Sequence, residues 1–236
     1  MAGPLSIERT GRVALVTLQR PEKRNALSIE LREELARAFT SLAGDDEVAC
    51  AVLTGAGSAF CAGMDFTQFG GDRANRERLV ESSLDAFGAV MRFPKPLVGA
   101  VNGPAIAGGF VLALHCDLRF ADPGAAFGFP ELARGIPPSY AAALAGLPEP
   151  LARDLVLTGR LLDARAAREC GLVNEVSAEG GAVARALAVA AEIAERPLAT
   201  LLEIKRRILL DAEHARGHLF AQEEQAFRNA LLGDQP

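Results

Sequence analysis

The segment from Pro96 to Asp117 (PLVGAVNGPAIAGGFVLALHCD) constrains the fold of this chain more than any other. Before its final Asp it contains no Asp, Glu, Lys or Arg, and it is nearly long enough to cross a bilayer. Its centre holds Asn102-Gly103-Pro104, a turn signal that divides the run into two halves too short to span a membrane. We therefore predict a buried strand and a buried helix joined by a tight turn, and no contact with a membrane.

Two glycine-rich loops are candidate sites. Gly108-Gly109 opens the predicted helix, where glycine is costly unless the backbone must approach something closely. The N-terminus of a helix also offers free N–H donors to an anion or a developing oxyanion. The loop FCAGMDF, with Gly63, follows another buried strand. Two such loops can each point one amide at a common oxygen, the minimum for an oxyanion hole. From these residues alone, this function and plain packing both remain open.

Composition and charge narrow the class of protein. The chain has 236 residues, 50% of them hydrophobic, which suits one large domain or one domain with an appendage. A formal net charge of -5 gives no sign of nucleic-acid binding. The first residues lack the pattern of a secretory signal, and the four cysteines lie far apart, so we predict a cytoplasmic protein with reduced thiols. His214 and His218 lack a third ligand, and we expect no metal.

The order of predicted elements indicates the α/β class, because short buried strands alternate with helices. Ser28 is a plausible N-cap for the first helix, and from about residue 181 the chain becomes rich in Ala and Leu at helical spacing. The predicted strands cover 12–20, 48–55, 95–101 and 117–122, and the predicted helices 29–42, 79–91, 108–116 and the C-terminal third.

Four segments resemble the crotonase family of enoyl-CoA hydratases and isomerases, in its order and spacing. They are 20–28 (RPEKRNALS), 60–66 (FCAGMDF), 95–122 (KPLVGAVNGPAIAGGFVLALHCDLRFAD) and 127–136 (FGFPELARGI). The resemblance implies a crotonase-like spiral of ββα units over residues 1–180 with an acyl-CoA site. It also implies a helical region over 181–236 that forms a homotrimer or a dimer of trimers. Coenzyme A would enter as part of the thioester substrate, and no separate cofactor is expected.

The resemblance also assigns site residues. The backbone N–H groups of Met64 and Gly108 would form the oxyanion hole for the thioester oxygen. The carbonyl of Ala62 would meet the adenine of CoA, and Lys23 and Arg24 would lie near its phosphates, although a solvated surface role for these two side chains stays open. Glu131 matches a catalytic glutamate, and its apolar neighbours in sequence would raise its pKa toward the range useful for proton transfer.

Departures from the family pattern bear on the reaction. Hydratases carry a second glutamate three residues after the oxyanion-hole glycine, and this chain has Val111 there. One carboxylate suffices for a 1,3-proton shift, so we favour double-bond isomerisation with Glu131 as the sole acid/base. Enoyl-CoA hydration with another second acid remains open, as does a non-catalytic acyl-CoA binder. The candidates for a second acid are Tyr140, Asp72, Glu77 and Glu81.

Two further departures concern the pocket and the end of the chain. Many relatives are rich in glycine where this chain has GIPPSYAAAL, so Pro138 and Tyr140 should reshape the acyl pocket beside Val111. Relatives often continue past the equivalent of Phe227 with another helix and a basic tail, whereas this sequence ends LLGDQP. We expect any contact made by that tail to be absent or replaced.

Overall fold

The computed structural model describes residues 3–232, within which strands and helices alternate through most of the chain. The strands are β1 Leu5–Thr10, β2 Val13–Leu18, β3 Cys50–Gly55, β4 Leu97–Val101, β5 Ala105–Ile106, β6 Leu118–Ala121, β7 Ala126–Gly128, β8 Leu161–Asp163 and β9 Glu175–Val176. The helices are α1 Ile29–Ala43, α2 Arg73–Met91, α3 Gly108–Leu114, α4 Tyr140–Gly146, α5 Glu149–Thr158, α6 Ala164–Glu169, α7 Ala182–Ala194 and α8 Leu198–Leu232. Short 3₁₀ turns cover Pro21–Lys23, Phe66–Gln68 and Pro130–Arg134. The α/β prediction is confirmed.

The strands form two sheets. The larger has the order β1-β2-β3-β4-β6-β9, in which β1 and β2 are antiparallel and the other pairs are parallel. The smaller has the order β5-β7-β8. Every residue of β3 and of β4 is buried, as expected for parallel strands that are covered on both faces. The loop with Gly63 follows β3, and Gly108-Gly109 follows β4 after a turn and the short strand β5.

Helix α1 follows its sequence pattern closely. Ser28 caps it by accepting a hydrogen bond from the backbone N–H of Leu31 at 3.2 Å. Its apolar positions at helical spacing, from Leu31 to Leu42, are buried against the core. The predicted helix and its cap are confirmed.

The sequence analysis missed one polar element and placed the start of another too late. Strand β1 was not predicted, because its four-residue tail IERT is exposed at the edge of the sheet and lacks the alternation of a half-buried strand. Helix α2 begins at Arg73, six residues before the predicted start at Leu79. Asp72 caps this charged first part, because its side chain accepts from the N–H of Asn75 at 2.8 Å.

The long apolar run divides as predicted. Strand β4 ends at Val101, and Asn102 holds the turn by donating from Nδ2 to the carbonyls of Gly55 at 2.8 Å and Gly57 at 2.9 Å. Strand β5 and helix α3 follow. Between residues 3 and 232, no helix is both long enough and apolar enough to cross a membrane.

The predicted helical C-terminal region is confirmed. It consists of helix α7 and the long helix α8. Lys205 of α8 is buried and donates to both carboxylate oxygens of Asp117 at 2.6 Å, which ties this helix to the segment after α3. The division of the chain at residue 180 stays a prediction, and residues 233–236 lie outside the described range.

Candidate active site

The first two family-like segments are joined by backbone hydrogen bonds. The N–H of Ala62 donates to the carbonyl of Arg24 at 3.0 Å, and the N–H of Leu27 donates to the carbonyl of Gly63 at 2.8 Å. The structure therefore places the predicted CoA-contacting residues in one patch. The side chains of Lys23 and Arg24 are exposed there, and the carbonyl of Ala62 accepts no hydrogen bond within residues 3–232.

Asn25 organises this patch, and it was not among the predicted site residues. Its side chain is fully buried, with Nδ2 donating to the carbonyls of Ala56 at 2.9 Å and Ala59 at 2.8 Å. Its Oδ1 accepts from the N–H of Arg20 at 2.9 Å. Asn25 has φ 56, a left-handed conformation that Asn tolerates better than most residues. In the sequence, Asn25 is a polar residue within a charged loop, and this pattern does not predict its burial.

The predicted oxyanion donors are close together. A Cβ on Gly63, which has φ +87, would lie 2.8 Å from Cβ of Ala107 and 3.3 Å from the backbone N of Gly108. The N–H of Met64 follows Gly63 directly, so the two amides belong to two touching segments. Neither of these N–H groups donates a hydrogen bond to any residue of the described range 3–232.

The backbone before Gly108 is strained. Ala107 has φ 52 and ψ -123, values that glycine adopts freely and that cost other residues about 1–3 kcal/mol. Its N–H donates to the carbonyl of Gly128 at 2.9 Å, which fixes the turn into α3. The ψ of Ala107 sets the direction of the next peptide N–H, so the strained residue aims the Gly108 amide. Gly109 is required for packing, because a Cβ there would lie 2.2 Å from the carbonyl oxygen of Cys61.

Glu131 lies in the 3₁₀ turn Pro130–Arg134. That turn follows β7, whose Gly128 pairs with Ile106, two residues before Gly108. Oε2 of Glu131 is buried and has no hydrogen-bond partner within the described residues. Burial raises the pKa of Glu131 to about 7, and a hydrogen bond from its own backbone opposes this effect. A carboxyl group with this pKa can both accept and return a proton near neutral pH.

Aromatic side chains surround this part of the chain. The rings of Phe110 in α3 and Phe129, two residues before Glu131, lie 4.9 Å apart. The guanidinium of Arg134 lies over the ring of Phe66, 4.9 Å from its centroid. The turn that carries Glu131 therefore contacts both the α3 segment and the segment that follows Met64.

The predicted pocket residues Val111, Pro138 and Tyr140 are each partly buried. Val111 and Tyr140 pack against the main core, on helices α3 and α4, which contact each other. The loop before α4 is held by a residue that sequence reasoning missed. Glu223 of α8 accepts from Oγ of Ser139 at 2.6 Å and from the N–H of Ala141 at 3.0 Å. Its position in the middle of a long charged helix gave no sign of this role.

Each of the four candidates for a second acid is either exposed to solvent or already paired with another residue. Asp72 caps α2, Glu77 pairs with Arg73 at 2.8 Å, and Glu81 is exposed. The hydroxyl of Tyr140 accepts from Nε of Arg153 at 3.4 Å. None of them shares the buried, unpartnered state of the Glu131 carboxyl oxygen.

A cavity of 830 Å³ lies elsewhere, at the carboxyl end of α3 between α2 and α8. Its lining includes His115, whose ring packs 5.7 Å from that of Phe220. Burial first, and then the charge of Lys205, lower the pKa of His115 to about 4, which agrees with a packing role for this side chain. Met64, Gly108 and Glu131 do not line this cavity, and the candidate site is at the opposite end of α3.

Comparison with known proteins identifies the group to which this arrangement belongs. The sequence model described as "Enoyl-CoA hydratase/isomerase" matches residues 8–234. This chain belongs to the enoyl-CoA hydratase/isomerase family. It is 41% identical over 208 residues to a putative enoyl-CoA hydratase of Thermus thermophilus, covering 85% of this chain and 81% of that protein. It is 40% identical over 201 residues to enoyl-CoA hydratase EchA19 of Mycobacterium tuberculosis, covering 82% and 76%.

Solved structures agree with this assignment. The crystal structure of an enoyl-CoA hydratase/isomerase from Mycobacterium paratuberculosis superimposes with a TM-score of 0.86 at 29% identity, covering 96% of this chain and 94% of that one. The crotonase-like fold and the family resemblance are therefore confirmed. The chain is an enzyme of the enoyl-CoA hydratase/isomerase family that acts on acyl-CoA thioesters, as a lyase or an isomerase. The roles of individual residues, the trimeric state, the location in the cell and the need for no cofactor stay predictions.

Proposed function

We propose that this enzyme forms an enolate of its acyl-CoA thioester, with Glu131 as the only acid/base and the amides of Met64 and Gly108 as oxyanion donors. The observation that carries the proposal is the buried carboxyl oxygen of Glu131, which has no hydrogen-bond partner among residues 3–232 and belongs to a group with a pKa of about 7. A base in this state is ready for proton transfer without first losing a salt bridge.

The two amides supply the electrostatic part of the mechanism. When Glu131 takes a proton from the γ-carbon of a 2-enoyl thioester, the electron pair of that C–H bond moves into a dienolate and negative charge develops on the thioester oxygen. The N–H groups of Met64 and Gly108 have no partner among residues 3–232 and are available to that oxygen. A single donor of this kind is typically worth on the order of a hundredfold or more in rate.

Isomerisation is the favoured outcome of this enolate. Glu131 returns its proton to the α-carbon, so the double bond moves by one position and the atoms balance without water. Val111 offers no carboxylate at the position where hydratases carry their second glutamate, and the four candidate acids are exposed or engaged. The names of the relatives favour a second candidate, enoyl-CoA hydration, which would need one of those groups to move toward the substrate.

The test is incubation with a straight-chain trans-2-enoyl-CoA in D₂O, read by mass spectrometry and NMR. Deuterium at the γ-carbon or a shifted double bond, without added water, supports isomerisation. Addition of water to the double bond supports the hydratase candidate instead. Glu131→Gln should lower the rate of either reaction by at least about a thousandfold. A Glu131→Gln enzyme with full turnover would exclude Glu131 as the acid/base.

A further inference from the structure

Arg32 is a buried cation without a carboxylate partner, next to the proposed oxyanion hole. It lies on α1 among the apolar residues that face the core, and only 1% of it is exposed. Its Nη1 donates to Sδ of Met64 at 3.1 Å and to Oγ of Ser83 at 2.9 Å. Its Nε is buried and makes no hydrogen bond within the described residues.

The acidic residues near Arg32 are already engaged. Glu33 holds Arg78 through two hydrogen bonds at 2.7 and 2.9 Å, and Asp65 pairs with Arg20 at 3.0 Å. Glu30 accepts from the side chain of Gln68 at 3.3 Å. Within residues 3–232 no carboxylate forms a salt bridge with Arg32, and the charges of Glu30, Asp65 and Glu33 act on it only from a distance.

Such an arrangement costs stability unless it serves another purpose. A buried charge without a counter-ion is strongly unfavourable, and a hydrophobic side chain of similar size in its place is often neutral or stabilising. Burial correspondingly lowers the pKa of Arg32 to about 10, so the group still carries its charge at neutral pH. What makes the charge useful is its location against the side chain of Met64.

We propose that Arg32 is a positioning residue that fixes Met64 and directs a positive field at the thioester oxygen. The inference rests on the proposed function. Proton transfer to Glu131 moves one negative charge from the carboxylate to the thioester oxygen. A cation on the Met64 side of the site stabilises the product of that step.

The test compares three variants in the D₂O assay. Arg32→Met removes the charge but keeps the volume, Arg32→Lys keeps the charge, and Arg78→Met removes an exposed arginine of α2 as the matched control. At an effective dielectric constant near 20, the interaction of two unit charges corresponds to an effect on the order of tenfold in rate even at a separation of about 10 Å. We expect Arg32→Met to lower kcat by that factor, with KM within twofold and a Tm that is unchanged or higher.

The conservative variant distinguishes charge from packing. Arg32→Lys should recover most of kcat, and Arg78→Met should match the wild type throughout. Full kcat in Arg32→Met would overturn the inference. A lowered Tm or failure to fold in Arg32→Met, with equal loss of kcat in Arg32→Lys, would also overturn it, because that is the behaviour of a packing residue. A wild-type enzyme that neither shifts the double bond nor incorporates deuterium would instead overturn the proposed function itself.

Discussion

Along β3, the side chains of Cys50 and Val52 point to one face of the larger sheet and those of Ala51 and Leu53 to the other. On the first face α7 packs with its alanines at every fourth position, from Ala182 to Ala194, so local pattern and tertiary packing agree. The second face leads to the candidate site, where backbone and charges are held in costly states. Ala107 has positive φ, and within residues 3–232 a buried oxygen of Glu131 has no hydrogen-bond partner and Arg32 has no salt bridge. The contrast separates residues that stabilise the fold from residues for which we propose a role in the chemistry.

The strongest test of this contrast is the backbone at Ala107. Valine is β-branched and tolerates positive φ poorly, so Ala107→Val should turn the peptide and the N–H of Gly108 away from the substrate. We expect kcat/KM to fall on the order of a hundredfold, the cost of one oxyanion donor. Ala107→Gly is the matched control and should keep the rate within about twofold while leaving Tm unchanged or slightly higher. A valine variant with normal kcat/KM would show that the strained turn does not aim the amide.

The second test measures what the buried Glu131 carboxyl costs the fold. Its pKa is higher in the native state than in the unfolded chain, so the native state binds more protons between pH 4.5 and about 7. The free energy of unfolding therefore falls as pH rises through that window, and the loss is complete above about pH 7. Glu131→Gln should be more stable than the wild type at pH 8, by about 1–3 kcal/mol, and equal to it near pH 4.

Urea unfolding at both pH values checks this expectation. Glu81→Gln, which changes an exposed carboxylate of α2, is the control and should show no such pH-dependent difference. If Glu131→Gln is less stable than the wild type at pH 8, the Glu131 carboxylate makes a stabilising contact in the native state, and this expectation is wrong.

The third test moves to the opposite face of the sheet. Ala190 is fully buried between α7 and the strands, so Ala190→Leu should overpack the contact and lower the free energy of unfolding by about 1–3 kcal/mol. The activity of each folded molecule should stay unchanged, because this face holds no proposed site residue. Ala191→Leu, on the exposed side of the same helix, should alter neither property. If Ala190→Leu lowers kcat without lowering stability, the α7 face of the sheet also affects activity, and the proposed difference between the two faces is wrong.

The smallest effect is expected at Glu77. Its ion pair with Arg73 joins exposed side chains four positions apart, so Glu77→Ala should change the free energy of unfolding by less than about 0.5 kcal/mol. Product formation from a 2-enoyl thioester should be unchanged, since Glu131 acts alone in the proposed mechanism. A tenfold loss of water addition in Glu77→Ala would make this residue the second acid and the enzyme a hydratase.

Sequence reasoning succeeded where local pattern and tertiary structure agree. The Ser28 cap, helix α1 and the divided apolar run could be predicted because capping residues, helical spacing and a turn tripeptide each act locally. Strand β1 could not, because an exposed edge strand is stabilised by its neighbour β2 rather than by an apolar face of its own. The start of α2 is charged, so the helix was not predicted there, and its N-cap Asp72 was the only local signal of a helix start.

The site shows the same limit more sharply. Glu131 was proposed only through the resemblance to a family, whereas the glycine-rich loops that carry Met64 and Gly108 were candidate sites from their residues alone. Arg32 stands among Glu30, Glu33 and Glu34 in sequence and has the pattern of a solvated helix face; only the packing of α2 and Met64 over it reveals its burial. The backbone angle of Ala107 depends on its bond to Gly128, a contact that sequence spacing does not encode.

The short backbone segment from Ala62 to Met64 has one more consequence. It is bonded to the loop of Arg24 on one side and touches the start of α3 on the other. The carbonyl of Ala62, proposed to contact the nucleotide, and the N–H of Met64, proposed to contact the reacting oxygen, thus belong to adjacent peptide units joined at Gly63. Binding of the adenine at Ala62 would therefore also orient the thioester oxygen toward its N–H donors. Removing the nucleotide part of the substrate would then lower kcat as well as weaken substrate binding.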